Sequence, residues 1–83
     1  KMNEVIDIID RLGSLEREDG VPRNMREKIR IACAALSEEE TSLAIRINRS
    51  LQELDDVSTD MNTPSDIKTI LWSITSELEC IKQ

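Results

Sequence analysis

Apolar residues recur every three or four positions along most of the chain, and this spacing predicts four amphipathic helices. The first helix is expected over residues 3–18 and the second over residues 22–36. A third is expected over about 38–57 and a fourth over about 64–81. The apolar positions that form the predicted buried faces are Val5, Ile8, Ile9, Leu12, Leu15, Met25, Ile29, Ala32, Leu36, Ala44, Ile47, Leu51, Leu54, Ile67, Ile70, Leu71, Ile74, Leu78 and Ile81.

Turn residues mark the ends of these helices. Gly20 suits the left-handed backbone that closes a helix, and Pro22 suits the first position of the next helix, where an N–H is not needed. The sequence from Ser37 to Glu40 fits a capping box and predicts the start of the third helix. Thr63 and Pro64 then predict a cap and a first residue for the fourth.

The chain resembles itself when it is shifted by 42 residues, which aligns Pro22 with Pro64 and Leu36 with Leu78. Most aligned positions agree in class but differ in identity. A period of 42 residues lies within the range of HEAT and armadillo repeats. Any two amphipathic helical hairpins of equal length would also align in this way, so the repeat remains one of two interpretations.

The predicted fold class is all-α, with four antiparallel helices arranged as two helical hairpins. The first hairpin is expected over about 3–36 and the second over about 38–82, within a single helical domain spanning 1–83. Two repeat units either stack as a HEAT-like pair or close as an up-down four-helix bundle. The sequence leaves both arrangements open.

Composition agrees with an all-helical core. Trp72 is the one aromatic residue, and the chain has only two glycines and two prolines, too few to separate many short strands. The core must therefore be built from aliphatic side chains and methionine, which interdigitate well between helices. At 83 residues the chain has room for one core of marginal independent stability, which oligomerisation would improve.

The net charge of −6 comes entirely from the second half of the chain. Residues 1–36 carry seven basic and seven acidic side chains, whereas residues 37–83 carry four basic and ten acidic ones. An acidic chain repels phosphate backbones at long range, which argues against general binding to nucleic acids or anionic membranes. A local basic strip on the second helix, formed by Arg23, Arg26 and Arg30, is the exception.

The sequence predicts a cytoplasmic protein. Cys33 and Cys80 lie in different predicted helices and form neither a CxxC pair nor a disulfide framework, so reduced thiols are expected. Residues 1–4 include a glutamate and begin no apolar stretch, so no signal peptide is expected. No apolar run reaches the ~18 residues that a membrane-spanning helix needs.

Candidate chemistry is sparse, and no enzyme is predicted. The chain has no histidine or tyrosine, so the commonest general base at neutral pH is missing, and no catalytic residue is proposed. Cys33 has basic neighbours that would lower a thiol pKa, but its place at the core edge favours packing over catalysis. An enzyme that depends on a carboxylate or a thiol would need a concave pocket with strongly shifted titrating groups.

Two acidic stretches lack the geometry of a cation site. The run 38–40 points in three directions on a helix, so it does not converge on an ion. The stretch 55–60 resembles a calcium loop in its acidity but lacks the glycine and the closing glutamate of such a loop. We therefore expect no metal site and no cofactor.

Two stretches of the chain resemble a known family. Val21-Pro22-Arg23-Asn24 follows an acidic loop, and a second proline turn precedes Ile70-Leu71-Trp72-Ser73-Ile74 and Ser76-Glu77-Leu78-Glu79. These features are similar to those of the small archaeal proteins grouped as uncharacterised protein family 0147. The resemblance implies a short, all-helical, cytoplasmic archaeal protein, and it transfers no functional residue.

The best candidate surface is centred on Trp72, which lies about 140–160° from the centre of the apolar stripe on its helix. If the hairpins stack, Trp72 and Lys68 would join Arg26 and Arg30 in one ridge of cations and an aromatic ring. Such a ridge would bind a protein partner or a second copy of the chain as a homodimer. Alternatively, Trp72 packs against Arg30 within the same molecule as a cation–π contact.

The predicted function is therefore a small interaction or self-associating module without enzymatic activity. The alternative is an accessory protein that binds RNA weakly through the basic strip on the second helix. No more specific biochemical function follows from the sequence.

Overall fold

The computed structural model describes residues 2–82 and contains four helices and no strand within that range. The helices are α1 (Met2–Glu16), α2 (Arg23–Leu36), α3 (Leu43–Ser58) and α4 (Ser65–Lys82). The predicted all-helical class with four helices is confirmed. Lys1 and Gln83, the ends of the predicted domain, lie outside the described residues, and the division into two hairpins stays a prediction.

Each helix packs against the next one along the chain, and α1 also approaches α4. The pair α2 and α3 makes the most extensive contacts, whereas α1 and α4 make the fewest. Among the described residues, no Cα atom of α2 comes within 8 Å of one in α4. This order of neighbours is that of an up-down bundle, because a stacked pair of hairpins would place α2 beside α4.

One apolar cluster fills the centre of the bundle and is contributed by all four helices together with Val21. Most predicted stripe positions are buried in it, as the three-and-four spacing requires. Two predictions are wrong. Ala44 is exposed, and Ile70 is 40% exposed because it faces the loosely packed seam between α1 and α4.

Three loops of six residues each, 17–22, 37–42 and 59–64, reverse the chain between consecutive helices. They share one path: the second residue of each donates its N–H to a carbonyl three residues back, in the last turn of the preceding helix. The fifth residue of the outer two loops, Val21 and Thr63, is buried. Gly20 has a φ of +90°, as predicted for the first turn.

The predicted capping box at Ser37 is wrong. Ser37 ends α2 instead of starting α3, because its Oγ donates to the carbonyl of Cys33 at 3.0 Å. The residue that caps α3 is Ser42, whose Oγ accepts the N–H of Ile45. Both serines suit a cap locally, and the later one is used because residues 37–42 form the loop.

The predicted cap of α4 is also wrong. Thr63 donates its hydroxyl to the carbonyl of Val57 near the end of α3, so it completes the preceding helix. Pro22 and Pro64 each lie just before the first residue of a helix, one position earlier than predicted. Their carbonyls accept the N–H groups of Arg26 and Lys68, which still makes them the entry points of α2 and α4.

Candidate functional site

The four residues of the predicted interaction surface fall on two separate faces. Arg26 and Arg30 lie on α2, and Lys68 and Trp72 lie on α4. Because α2 and α4 are not neighbours among the described residues, the four side chains do not form one ridge. The condition on which the ridge depended, a stacked pair of hairpins, is not met. Binding by either half remains a prediction.

Trp72 lies on the outer side of α4 and is 56% exposed. Within the described residues its indole N–H donates no hydrogen bond, although its backbone carbonyl accepts the hydroxyl of Thr75 at 3.0 Å. An exposed tryptophan with a free indole N–H is typical of an interface anchor. Burying the ring against a partner removes apolar area from water, and the N–H can donate a hydrogen bond to that partner.

Lys68 and Glu79 lie on the same stripe of α4 as Trp72, at positions four before it and seven after it. Lys68 is half-buried and Glu79 is exposed. Neither forms an ion pair within the part of the chain that the structure describes. The outer face of α4 therefore carries a cation near one end, an aromatic ring and an anion near the other end.

The α2 half of the predicted surface is already engaged in local contacts. Arg26 donates from Nη2 to the carbonyls of Glu18 and Val21, each at 3.2 Å, and so holds the first loop. Arg30 pairs with Glu27 one turn earlier, donating to it from Nε at 3.1 Å. The hydrogen bond from Arg30 lowers the pKa of the Glu27 carboxyl, and the pKa of Arg30 is raised in turn.

A cavity of about 480 Å³ beside α2 is lined by all three residues of the predicted basic strip, Arg23, Arg26 and Arg30. Glu16 and Glu27 line the same cavity, so its charges are mixed. The structure thus brings the basic strip together, but it places carboxylates beside it that weaken attraction for phosphate.

An ion pair joins the two helices that pack least closely. Arg11 of α1 donates from Nη1 to both carboxylate oxygens of Glu77 on α4, at 2.8 and 2.9 Å. The hydrogen bond to Glu77 raises the pKa of Arg11. Below this pair, Leu15 and Ile70 line a shallow groove of about 310 Å³. The pair holds the seam where apolar packing is thin.

The surroundings of Cys33 favour its neutral thiol. Cys33 is half-buried against the core, as predicted, and its Sγ donates to the carbonyl of Ile9 at 3.6 Å. Burial, followed by the charges of Glu16 and Asp10, raises the pKa of Cys33, the opposite of what a nucleophile needs. Cys80 is exposed, as expected from its position off the apolar face.

Three polar residues on α3, Arg46, Ser50 and Ser58, are buried and were not predicted from the sequence. Arg46 is only 7% exposed, and its Nη1 donates to the carbonyl of Leu36 at 2.9 Å. Ser50 is fully buried one turn later. Neither Arg46 Nε nor Ser50 Oγ has a hydrogen-bond partner among the described residues. The signal in the sequence was their spacing of four, which places both beside the apolar stripe of α3.

The rest of the described chain offers few other sites. Residues 2–82 contain no group of three or more cysteine, aspartate or glutamate side chains placed to share a metal ion. Over the same range, none of the helices combines the length and apolar character needed to cross a membrane.

Known proteins similar to this chain extend the sequence resemblance. The sequence model of the uncharacterised protein family UPF0147 matches residues 1–81. No solved structure is a significant match for the chain.

Curated relatives come from several archaea. The chain is 34% identical to the UPF0147 protein of Methanosarcina acetivorans over 84% of this chain and 72% of that protein. It is 35% identical to the one from Thermoplasma acidophilum over 98% of this chain and 89% of the relative. It is 30% identical to the UPF0147 protein of Pyrococcus furiosus over 99% of this chain and 86% of that protein. The chain therefore belongs to the uncharacterised protein family UPF0147.

Proposed function

We propose that this protein is a non-enzymatic helical module that self-associates through the outer face of α4. The observation that carries the proposal is Trp72, a largely exposed aromatic ring on a stripe with Lys68 and Glu79. Interfaces are enriched in tryptophan, and few exposed residues of this chain offer comparable apolar area. Unpaired cysteines on different helices support a cytoplasmic setting, where thiols stay reduced.

A second copy is favoured as the partner because the charges on α4 are self-complementary. In an antiparallel pairing of two α4 helices about an axis between residues 73 and 74, Lys68 of each copy lies opposite Glu79 of the other. The two-fold axis generates this contact twice, as in any isologous dimer. Trp72 of each copy then packs near the centre, where a desolvated ring contributes most.

The 42-residue period supports one further part of the proposal, an origin of the two halves in HEAT-like helical units. The loops 17–22 and 59–64 lie one period apart, and in both of them, unlike in loop 37–42, the fifth residue is buried. In such arrays each unit buries its face against the next, and here self-association through α4 would add a neighbour on the outside of the closed bundle.

Sedimentation velocity over a range of concentrations tests the proposal. We expect a monomer–dimer equilibrium that Trp72→Ala weakens about tenfold or more, the usual effect of removing an interface anchor. Lys68→Glu and Glu79→Lys should each weaken association, because each places like charges opposite one another. The double variant K68E/E79K restores the opposite charges and should restore association.

Arg30→Ala is the matched control, since it removes a cation of the predicted surface from α2, away from α4. Under the proposal this variant associates like the wild type. Equal weakening by Arg30→Ala and Lys68→Glu would instead support the four-residue surface. A wild type that sediments as a monomer at every concentration would refute self-association.

RNA binding is a second candidate, favoured by the shared cavity of Arg23, Arg26 and Arg30. Arg23 is exposed, and no carboxylate of the described residues lies within ion-pair distance of it. Filter retention of single-stranded RNA at low salt would test the idea. We expect retention to fall with added salt and with Arg23→Ala if the strip contacts phosphates. No retention at low salt would exclude this candidate.

A further inference from the structure

Arg46 is a buried cation whose Nε is buried without a hydrogen-bond partner among the described residues. The side chain is 7% exposed, and of its nitrogens only Nη1 has a partner in the described chain, the carbonyl of Leu36. No carboxylate in that part of the chain lies within 4.0 Å of the guanidinium. Burying an unpaired charge is costly, so this arrangement calls for an anion that residues 2–82 do not provide within ion-pair distance.

Arg46 is one of the residues that line a cavity of about 250 Å³ at the end of the bundle where α2 ends and α3 begins. The apolar wall of the cavity is formed by Val5, Ile6, Ile9 and Leu36. Ile6 is 54% exposed, so part of that wall faces solvent. The cavity therefore combines one buried positive charge with branched aliphatic surface.

We propose that this cavity binds a carboxylate carried on a branched aliphatic group, with Arg46 as its anchor. The Nε and Nη2 edge of a guanidinium presents two parallel N–H groups, and their spacing matches the two oxygens of a carboxylate. Nη1 is committed to Leu36, which fixes the orientation of the fork. The aliphatic wall then takes the branched part of the ligand.

The volume sets the size of the ligand. A cavity of about 250 Å³ is below the range that encloses drug-sized molecules. It therefore suits a small branched acid or the last residue of a polypeptide that ends in leucine or valine. Both sources carry the same chemistry, a free carboxylate beside a branched side chain.

Glu39 lies at the rim of the same cavity and works against an anion. It is exposed on the loop 37–42, and it forms no ion pair with Arg46 in the described structure. Replacing it by glutamine keeps its shape and removes the repulsion. We expect Glu39→Gln to bind the acid about twofold to fivefold more tightly, as for one partly screened charge.

The direct test is a titration of the full chain with 4-methylpentanoate, followed by nitrogen-15 NMR. The matched control ligand is 4-methylpentanamide, which has the same shape without the charge. We expect the acid to shift the Arg46 Nε–H resonance together with the backbone amides of Val5, Ile6 and Ile9. The expected Kd is about 1 mM, in keeping with a ligand of this size, and the amide should bind at least about tenfold more weakly.

Two variants test the contributions of Arg46 and of the apolar lining separately. Arg46→Lys keeps the charge but loses the fork, so it should weaken binding about tenfold. Ile6→Ala removes apolar surface at an exposed position and should weaken binding of 4-methylpentanoate without changing that of acetate. Because the wild-type Arg46 Nε–H resonance reports binding by itself, the test stands even if an Arg46 variant fails to fold.

Two peptides test whether the carboxylate comes from the end of a polypeptide or from a free small acid. One ends in leucine with a free carboxylate, and the other is the same peptide with an amidated end. Binding of the free-acid peptide alone would assign the site to a chain terminus, and binding of the small acid alone would assign it to a free metabolite. The proposal is overturned if acid and amide bind equally, if chloride produces the same shifts, or if neither the acid nor the peptide moves Arg46.

Discussion

Ser50 is a hydroxyl in a position built for an aliphatic side chain, and replacing it should stabilise the protein. The residue is fully buried in the middle of α3, and its Oγ has no partner among the described residues. The 42-residue period aligns it with Ile8, which is also fully buried. The core thus contains a polar group at a position whose aligned counterpart on α1 is apolar.

Three contributions set the size of the effect of Ser50→Ala. Leaving a buried hydroxyl unsatisfied costs about 1–3 kcal/mol, which alanine recovers. Alanine also favours the helix by up to about 0.5 kcal/mol relative to serine. The void left by the missing oxygen atom lowers the free energy of unfolding by about 0.5 kcal/mol. The free energy of unfolding should therefore rise by about 0.5–3 kcal/mol, and the melting temperature by about 4–8 °C for each kcal/mol.

Urea and thermal unfolding, followed by circular dichroism at one protein concentration, measure this change. The matched control is Ser14→Ala, since Ser14 is exposed on α1 and should gain only the few tenths of a kcal/mol of helix propensity. A Ser50→Ala variant that is no more stable than Ser14→Ala would refute the prediction. A destabilised variant would mean that the hydroxyl makes a hydrogen bond, for example to a buried water.

Further predictions concern the two glycines and one ion pair. Gly13→Ala should stabilise the protein by about 0.5–1 kcal/mol, because an added Cβ meets only the end of the Arg17 side chain, at 3.6 Å. Gly20→Ala should destabilise the protein by about 1 kcal/mol, because Gly20 has a φ of +90°. In urea unfolding, a destabilised Gly13→Ala would contradict the first expectation and a stabilised Gly20→Ala would contradict the second. Carbon-13 NMR should show the Glu27 carboxyl titrating below its ordinary pKa, and Arg30→Ala should abolish that shift. Because the folded pKa is lowered, this pair stabilises the fold above the ordinary pKa of glutamate and loses its effect as the pH falls through the lowered value.

Helical periodicity was enough to predict the fold class and most of the core. Positions such as Leu12, Ile29 and Leu71 are buried because residues three and four apart share one face of a helix. The same pattern does not say which helices become neighbours. That choice depends on how whole faces fit together, and it separated Arg30 on α2 from Trp72 on α4.

The remaining errors come from competition between local signals. Ser37 and Ser42 are both good caps, and a loop of six residues between α2 and α3 decides for the later one. Arg46 was missed because arginine usually lies on the surface. Here its long aliphatic stem and its hydrogen bond to the carbonyl of Leu36 allow the side chain to be buried. A residue of that kind shows its role only when the packing around it is known.

The close packing of α2 against α3 has a consequence for the order in which the molecule folds. These two helices share the most extensive contacts, a short connection, and the bond from Arg46 to Leu36. Their contacts are local in sequence, so they close at little entropic cost, whereas α1 and α4 must meet from opposite ends of the chain. We expect φ-values for Ile47→Val well above those for Ile81→Val. The transition state would then be a central hairpin onto which the outer helices condense.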